Sequence, residues 1–314
     1  MNPQQRHWIE KTQVQVVCVL ALAAVYFLAA PALKPWDEGG AIAFAFAGEY
    51  GRLILLGAIV AALAGASTLL TLQARPEGAL LATLVGLAGL SFRSGLMRTV
   101  LWRSPEHFRP VYNSMLLEML LLLVMLIEAA VIVWLLRAAV RLLRPSWLWQ
   151  EEPHDERGRL LEQSAGEWQE LAHGLAKSGH GWLILPACVA LELCIAMLLL
   201  VCMFRTPDRG QIAFALAASF MLAALATHQL LPVRVALPFW LAPVLLALVV
   251  YLFAPDSFPP GTGPGWRQVE MVARAMPMRA ALPIDWLSLG AGGAVAGYWL
   301  SRRIHQTRLH PIEE

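Results

Sequence analysis

The chain has 314 residues, of which 58% are hydrophobic and 15% charged, and its formal charge is +2 at pH 7. Soluble domains carry about a quarter charged residues, so this composition excludes an ordinary soluble protein. The small net charge argues against nucleic acid as a partner, because a nucleic-acid-binding surface needs a basic excess to neutralise phosphates.

The apolar residues come in runs of about twenty, which is the length that a bilayer-spanning helix needs. We therefore predict an all-α integral membrane protein, a single polytopic bundle of about eight transmembrane helices. Aromatic residues lie at several helix ends, as in interfacial belts. They are Tyr112, Trp134, Trp182, Trp286 and Trp299. The predicted spans are residues 14–33, 52–72, 79–101, 112–136, 182–204, 211–230, 233–253 and 286–300.

The first apolar run, residues 14–33, is too long for the apolar core of a signal peptide, so we interpret it as the first span. Basic residues concentrate after the fourth and eighth spans, and the cytoplasmic side of a membrane protein carries such an excess. We therefore predict that both termini are cytoplasmic and that the protein lies in the cell inner (plasma) membrane. The basic residues concerned are Arg137, Arg141, Arg144, Arg302, Arg303 and Arg308.

The long inner connection, residues 137–181, contains an amphipathic segment at residues 155–177. Its apolar residues recur at helical spacing, and acidic residues fill much of the opposite side. Helices that lie on a membrane surface usually favour basic residues there. Of three alternatives, which are lying on the membrane surface, closing the inner face of the bundle and docking on a partner, we therefore favour packing on protein, with other membrane or cytoplasmic subunits as the expected partners. The residues that recur at helical spacing are Leu160, Leu161, Ser164, Trp168, Leu171 and Leu175.

The long outer connection, residues 254–285, begins with a run rich in proline and glycine, which both break helices. A short interfacial helix is predicted at residues 266–276. Together with residues 35–50, which contain several aromatic side chains, it is expected to form a lid over the outer face.

Five ionisable residues inside the predicted spans are the main candidate site: Arg93, Arg98, Glu118, Glu128 and Glu192. Charges in a bilayer are costly, so they normally face the bundle interior and find partners. We therefore predict one buried charged cluster, with an ion pair between Arg98 and Glu118 on adjacent helices. The cluster either locks the helices together or lines a cavity that binds an anionic or quinone-like ligand or conducts protons.

The mouth of the same helical hairpin carries four further polar candidates, Arg103, Glu106, His107 and Arg109. They are either an ordinary interfacial loop with snorkelling arginines or part of a site that acts on lipids.

The cysteines, Cys18, Cys188, Cys194 and Cys202, lie in apolar runs without the spacing of a metal or disulfide framework, so we interpret them as packing residues. Only His228 lies in a span, which argues against a bilayer haem, and no zinc or nucleotide motif occurs. A quinone remains compatible with the sequence. The four-residue spacing of Gly293 and Gly297 predicts close helix packing.

Three functional hypotheses follow. The first is a non-catalytic membrane subunit of a larger complex, with a quinone-linked anchor as one form of it. It rests on the lack of a soluble catalytic domain, the docking character of residues 155–177 and the charges inside the spans. The second is a transporter or proton- or ion-conducting protein that uses Arg93, Glu128 and Glu192. The third is an intramembrane lipid-modifying enzyme built around Glu106, His107 and Glu118.

Overall fold

A computed structural model of the chain describes residues 3–34, 40–102, 108–143, 183–233, 235–254 and 277–309. Its regular structure is helical, and the described residues contain no strand, as the prediction of an all-α protein requires. The α-helices are α1 (Pro3–Ala24), α2 (Ala30–Leu33), α3 (Phe44–Ala47), α4 (Tyr50–Leu70), α5 (Pro76–Arg93), α6 (Met97–Leu101), α7 (Arg109–Leu143), α8 (Ile184–Met203), α9 (Arg209–Leu230), α10 (Leu237–Leu252), α11 (Pro283–Asp285) and α12 (Ala291–Leu309).

Two π-helical turns interrupt otherwise continuous helices. The first, Val25–Ala29, joins α1 to α2, and the second, Trp286–Gly290, joins α11 to α12. A 3-10 turn at Pro277–Ala280 precedes α11. Single π turns inside α-helices occur often at functional sites.

Five helical segments among the described residues are long and apolar enough to cross a membrane. The helix α10 is also apolar but has only 16 residues. Large apolar side chains point outward along these segments, as lipid-facing side chains do. By length and composition the chain is therefore a helical membrane protein. The five segments are Trp8–Leu33, Tyr50–Leu70, Arg109–Leu143, Ile184–Met203 and Arg209–Leu230.

The long helices run between two ends of the bundle, which we name after the residues that lie there. At the Arg302 end, the Gln13 amide of α1 donates a hydrogen bond to the carbonyl oxygen of Leu70, over 2.5 Å, at the end of α4. At the Asp285 end, Arg109 at the start of α7 donates to the carbonyl oxygen of Leu252 at the end of α10. The start of α8 likewise meets the end of α9, through Cys188 and Leu231. In each of these three pairs the start of one helix meets the end of the other, so the two helices lie antiparallel.

Glycines allow α9 and α12 to lie in close contact. A Cβ atom on Gly293 would collide with the carbonyl oxygen of Ala217, and one on Gly297 with that of Met221. Only glycine fits where two backbones approach so closely. The close packing predicted from the spacing of these two glycines is confirmed.

The predicted third span, residues 79–101, is not one helix. The helix α5 ends at Arg93, and a non-helical Ser94–Leu96 stretch separates it from α6. The side-chain oxygen of Ser94 accepts a hydrogen bond of 2.8 Å from the backbone N–H of Ile42. The N–H of Gly95 donates to the carbonyl oxygen of Gly40 over 3.2 Å. The segment that precedes α3 therefore stabilises the non-helical stretch between α5 and α6. Hydropathy does not reveal these contacts.

Some predicted features fall outside the described residues. These are the amphipathic segment 155–177, the proline- and glycine-rich run, and the interfacial helix at 266–276.

Candidate functional site

Glu118 of α7 is buried, with 1% of its surface exposed. Its Oε2 accepts a hydrogen bond of 3.0 Å from the backbone N–H of Ala45 in α3. Amide groups in the first turn of a helix have no partner within the helix, so a carboxylate there satisfies a donor that would otherwise be buried unpaired. Glu118 therefore fixes α3 against α7.

The predicted ion pair between Arg98 and Glu118 does not form, because the Arg98 side chain is exposed while Glu118 is bound to Ala45. The prediction assumed one continuous third helix, which would place Arg98 at the same depth as Glu118 on the adjacent helix. The break at Ser94–Leu96 removes that continuity, and Arg98 belongs to the separate helix α6.

The other charged residues of the predicted cluster are dispersed. Arg93 is exposed, with its Nε 3.4 Å from the carbonyl oxygen of Tyr26 and its guanidinium 4.6 Å above the Tyr26 ring. Glu128 is exposed on α7. Only Glu118 and Glu192 of the five are buried, and no hydrogen bond or ion pair joins any two of the five. The expectation of one buried cluster is corrected accordingly.

Glu192 of α8 is completely buried, and neither carboxylate oxygen has a hydrogen-bond partner in the described part of the chain. One turn away, the Cys188 thiol contacts the carbonyl oxygen of Leu231 over 3.9 Å. Because α8 and α9 are antiparallel, one turn further along each helix places Glu192 level with Thr227. The Thr227 hydroxyl is also buried without a partner among the described residues. Two unsatisfied polar groups therefore lie at the same level.

A second buried carboxylate, Asp285, organises the opposite end of the bundle. Arg209 of α9 donates to it twice, from Nη1 to Oδ2 over 2.9 Å and from Nη2 to Oδ1 over 2.6 Å. The Ser91 hydroxyl of α5 donates to Oδ1 over 2.8 Å, and the Leu282 N–H to Oδ2 over 2.9 Å. A bidentate, hydrogen-bonded pair of this kind is the strong form of an ion pair. It ties three segments together where the second π turn begins.

Aromatic residues continue this polar layer toward α7 and α10. The Tyr251 hydroxyl donates to the carbonyl oxygen of Ala281 over 2.7 Å. The rings of Tyr251 and Tyr112 lie 6.2 Å apart, and the buried Tyr112 hydroxyl has no hydrogen-bond partner among the described residues. The outer-mouth residue Arg109 anchors α7 through hydrogen bonds of 2.9 Å to the carbonyl of Leu252 and 3.3 Å to that of Ala254.

The remaining outer-mouth candidates, Arg103, Glu106 and His107, lie outside the described residues. The four cysteines are all unpaired. No group of three or more His, Cys, Asp and Glu side chains that could hold a metal ion occurs among the residues that the structure describes.

A third polar cluster lies at the Arg302 end. Arg302 of α12 donates to Glu77 Oε1 over 2.9 Å and to the Tyr298 hydroxyl over 3.1 Å. Glu10 of α1 accepts a hydrogen bond of 3.3 Å from the backbone N–H of Arg75 and lies 4.0 Å from Arg303. These contacts join α1, α5 and α12.

The ring of His228, 4% exposed, lies beside this cluster. Its Nδ1 is 2.7 Å from the Ser301 hydroxyl and its Nε2 is 3.2 Å from the carbonyl oxygen of Val233. The ring meets Tyr298 edge-on, with centroids 4.8 Å apart. Since both ring nitrogens have polar partners and the ring packs against an aromatic side chain, we interpret His228 as a structural residue of the bundle.

Sequence reasoning missed the Asp285 and Arg302 clusters because their charged residues lie at the ends of helices, outside the predicted spans. The partners Arg209 and Asp285 are also 76 positions apart in the chain, so no local spacing connects them. A signal was nevertheless present in the sequence. Acidic and basic residues stand at helix ends that an antiparallel arrangement brings to the same end of the bundle, where they can pair.

An apolar groove of about 390 Å³ lies between α8 and α10. Its lining offers no polar side chain, so it suits an aliphatic chain and provides no hydrogen bond for the head group of a quinone. The lining is Leu185, Pro186, Val189, Ala190, Leu193, Leu237, Pro238, Leu241 and Leu245.

Comparisons with protein-family models, with curated proteins and with solved structures find no match for this chain. Function is therefore inferred from the geometry of these sites.

Proposed function

We propose that the protein is a non-catalytic membrane subunit of a larger complex, with about eight spans and both termini in the cytoplasm. The observation that carries the proposal is the position of Glu128. Its carboxylate lies near the middle of the 35-residue helix α7, on the outer surface of the bundle.

The surroundings of Glu128 are apolar. The exposed side chains one turn away are Val124, 61% exposed, and Val131, 46% exposed. Within the described part of the chain, Glu128 makes no hydrogen bond or ion pair. We name this surface the Glu128 face; it comprises Leu117, Leu120, Val124, Ile127, Glu128, Val131, Trp134 and Leu135.

A carboxyl group that faces hydrocarbon is costly, and such groups normally face protein or water. A transmembrane helix of another subunit removes that cost if it places an arginine, a lysine or another hydrogen-bond donor against Glu128. The apolar residues above and below then pack against the same helix, because they lie on the same side of α7 at helical spacing. The proposed occupant of the Glu128 face is therefore a partner helix with a basic or donor side chain near its centre.

The experiment is to isolate the natively expressed protein in mild detergent and to identify co-purifying proteins by mass spectrometry. Glu128→Leu removes the polar group, and Glu128→Gln keeps a hydrogen-bonding one. Glu49→Gln is the control, because Glu49 pairs with Arg52 and is not one of the residues of the Glu128 face. We expect a stoichiometric partner that Glu128→Leu releases and Glu49→Gln retains. A monomer without partners, or a complex indifferent to Glu128→Leu, would contradict the proposal. If the protein is a homo-oligomer that Glu128→Leu dissociates, the occupant of the Glu128 face is a second copy of the chain and not a different subunit.

The second candidate is a proton- or cation-conducting protein, which the environment of Glu192 favours. A carboxyl group with two unsatisfied oxygens, level with an unsatisfied hydroxyl, can take up and release a proton or contact a small cation inside the bundle. The site differs from the one that the sequence suggested, because Arg93 and Glu128 lie on the outer surface. It rests on Glu192 and Thr227.

Flux measurements in proteoliposomes test this second candidate. We expect Glu192→Gln to abolish proton-driven flux and Thr227→Val to reduce it, while Cys194→Ser, an exposed substitution on the same helix, has no effect. Unchanged flux in Glu192→Gln would remove the assignment. No described contact favours the lipid-modifying enzyme, since Glu118 is bound to the Ala45 amide.

A further inference from the structure

Glu192 of α8 and Thr227 of α9 are two buried polar side chains whose oxygens the fold leaves unsatisfied. Both side chains are completely buried, and their oxygens have no hydrogen-bond partner among the residues that the structure describes. A buried hydroxyl without a partner is destabilising, and a buried carboxylate without a counter-charge is more so. A ligand that binds both groups would remove this cost.

Contacts near both ends of α8 fix its register against α9. At the Arg302 end, the Cys188 thiol contacts the carbonyl oxygen of Leu231 over 3.9 Å. At the Asp285 end, the Ser219 hydroxyl contacts the sulfur of Met203 over 3.6 Å. Residues four apart lie on the same side of a helix, so one row of residues on each helix runs between these contacts. The rows are Cys188, Glu192, Ala196 and Leu200 on α8, and Ser219, Ala223, Thr227 and Leu231 along α9.

The two rows bring Glu192 opposite Thr227. Because the helices are antiparallel, one turn along α8 from its contact with the end of α9 corresponds to one turn back along α9, which places Glu192 level with Thr227. One turn further, Ala196 stands level with Ala223. The axes of packed helices lie about 8–10 Å apart, so a carboxylate and a hydroxyl that face each other can bind one small ion between them. The small side chains of the two alanines leave room beside it.

The Thr227 hydroxyl differs from three other buried threonine hydroxyls of the bundle. Those of Thr68, Thr71 and Thr83 each donate to the carbonyl oxygen four residues earlier, over 2.6, 2.6 and 2.9 Å. This bond satisfies a threonine within its own segment. Thr227 does not make it, so its hydroxyl is available to a ligand.

The charges around Glu192 favour a cation with a single charge. Thr227 lies in the last turn of α9, where the carbonyl end of a helix carries partial negative charge. The Glu192 carboxylate adds a full negative charge within an apolar helix. One positive charge makes the site neutral, whereas a divalent ion would leave an uncompensated charge in the bundle. Helix C-terminal ends in the membrane coordinate Na+ in transporters, together with nearby oxygen ligands.

We propose that Glu192 and Thr227 form a binding site for Na+, in which the carboxylate supplies the balancing charge and the hydroxyl oxygen is a further ligand. The inference rests on the second candidate function, whose ion it names, and is independent of the Glu128 face. Binding of Na+ is measured without flux. A site that binds Na+ but does not conduct it is therefore distinguished from a site that does not bind it.

The test measures thermal unfolding in NaCl and in choline chloride of equal ionic strength. It uses the full-length protein, purified in mild detergent with any partner that it retains. Glu192→Gln removes the charge, and Thr227→Val removes the hydroxyl at nearly constant shape. Two other buried residues supply matched controls. Glu118→Gln alters a carboxylate that is bound to the Ala45 amide, and Thr83→Val removes a hydroxyl that is bound within its own helix.

We expect Na+ to raise the unfolding temperature of the wild-type protein by at least about 2 °C relative to choline, because a ligand that binds only the folded state stabilises it. Glu192→Gln should lose this shift and Thr227→Val should reduce it, while both controls keep it. The unfolding transition in choline shows that each variant is folded. Equal unfolding temperatures of the wild type in the two salts, or a full Na+ shift in Glu192→Gln, would overturn the proposal.

A second measurement identifies what the Glu192 carboxyl group holds. Dicyclohexylcarbodiimide reacts with protonated carboxyl groups in apolar surroundings, and peptide mass spectrometry locates the product. Na+ should slow the labelling of Glu192 at least about tenfold, because the bound ion replaces the proton. Labelling of Glu128, which is exposed on α7, should not depend on Na+. Labelling of Glu192 at the same rate in both salts would contradict the Na+ site and leave a proton as the ion of the second candidate function.

Discussion

Arg209 and Asp285 form a two-pronged ion pair, with Nη–Oδ distances of 2.9 and 2.6 Å, that joins the start of α9 to the start of the last helical segment. The Asp285 side chain is completely buried, whereas 19% of the Arg209 side chain is exposed. The pair lies directly before the second π turn. It therefore holds the point where the last segment enters the bundle.

Removing one partner of this pair should destabilise the protein strongly, because the other charge stays behind in a buried place. We expect Asp285→Asn to lower the free energy of unfolding by about 2–4 kcal/mol, somewhat below a fully buried pair since Arg209 reaches solvent. Denaturant titration of the protein in bicelles measures the change. Glu49→Gln, which breaks the more exposed pair with Arg52, should change it by less than about 1 kcal/mol.

A double-mutant cycle with Arg209→Gln separates the pair from its surroundings. The double variant should be more stable than the sum of the two single losses predicts, because neither charge is then left unpaired. Additive losses would show that Asp285 acts mainly through Ser91 and Leu282, its other hydrogen-bond partners.

Gly297→Ala should separate α9 from α12. A Cβ atom there would collide with the backbone carbonyl of Met221, which cannot turn away as a side chain can. We expect a loss of about 1–3 kcal/mol in the free energy of unfolding, typical of overpacking in a tight contact. Gly292→Ala is the control on the same helix, since its Cβ atom would meet only the Leu84 side chain at 3.5 Å, an ordinary contact. Similar losses in both variants would contradict the close-contact explanation.

The role of Glu118 can be tested through its hydrogen bond with the backbone N–H of Ala45. Glu118→Gln keeps an oxygen acceptor for the Ala45 N–H, whereas Glu118→Leu leaves that donor buried and unpaired, at a cost of about 1–3 kcal/mol. We therefore expect the leucine variant to loosen α3, measured as faster labelling of a cysteine introduced at Ala43. The glutamine variant should label at the rate of the Ala43→Cys parent. Equal labelling of all three would show that Glu118 does not hold this segment.

Hydropathy alone was sufficient to predict the helical membrane fold, because each long apolar run has to bury its backbone hydrogen bonds in a helix. It failed at residues 94–96, where the N–H of Gly95 donates to the carbonyl oxygen of Gly40 and the side chain of Ser94 accepts a hydrogen bond from Ile42. That break is also why the predicted pair of Arg98 and Glu118 does not form. The partner of Glu118 is a backbone amide from a segment 73 positions away, and no pattern of side chains indicates such a contact.

The burial of Glu192, by contrast, follows from sequence reasoning, because a carboxylate in an apolar span is expected to turn inward. Its lack of a partner could not be predicted, since that depends on which α9 residues face α8. The Asp285 cluster was missed for the same reason: it is assembled from three segments only when the bundle closes.

Glu192 itself gives the last prediction, which separates a functional carboxyl group from a structural one. Neither oxygen has a hydrogen-bond partner among the described residues, so replacement by the apolar, similarly shaped methionine removes a buried polar group and breaks no hydrogen bond with those residues. We expect Glu192→Met to leave the free energy of unfolding unchanged or to raise it by about 1–2 kcal/mol. Thr227→Val should behave in the same way, because its hydroxyl is equally unsatisfied. A loss above about 1 kcal/mol in Glu192→Met would mean that the folded protein pairs this carboxyl group, and its role would then be to hold α8 in place. Unchanged or higher stability would mean that a destabilising group is kept in the bundle, which is the behaviour of a residue retained for function.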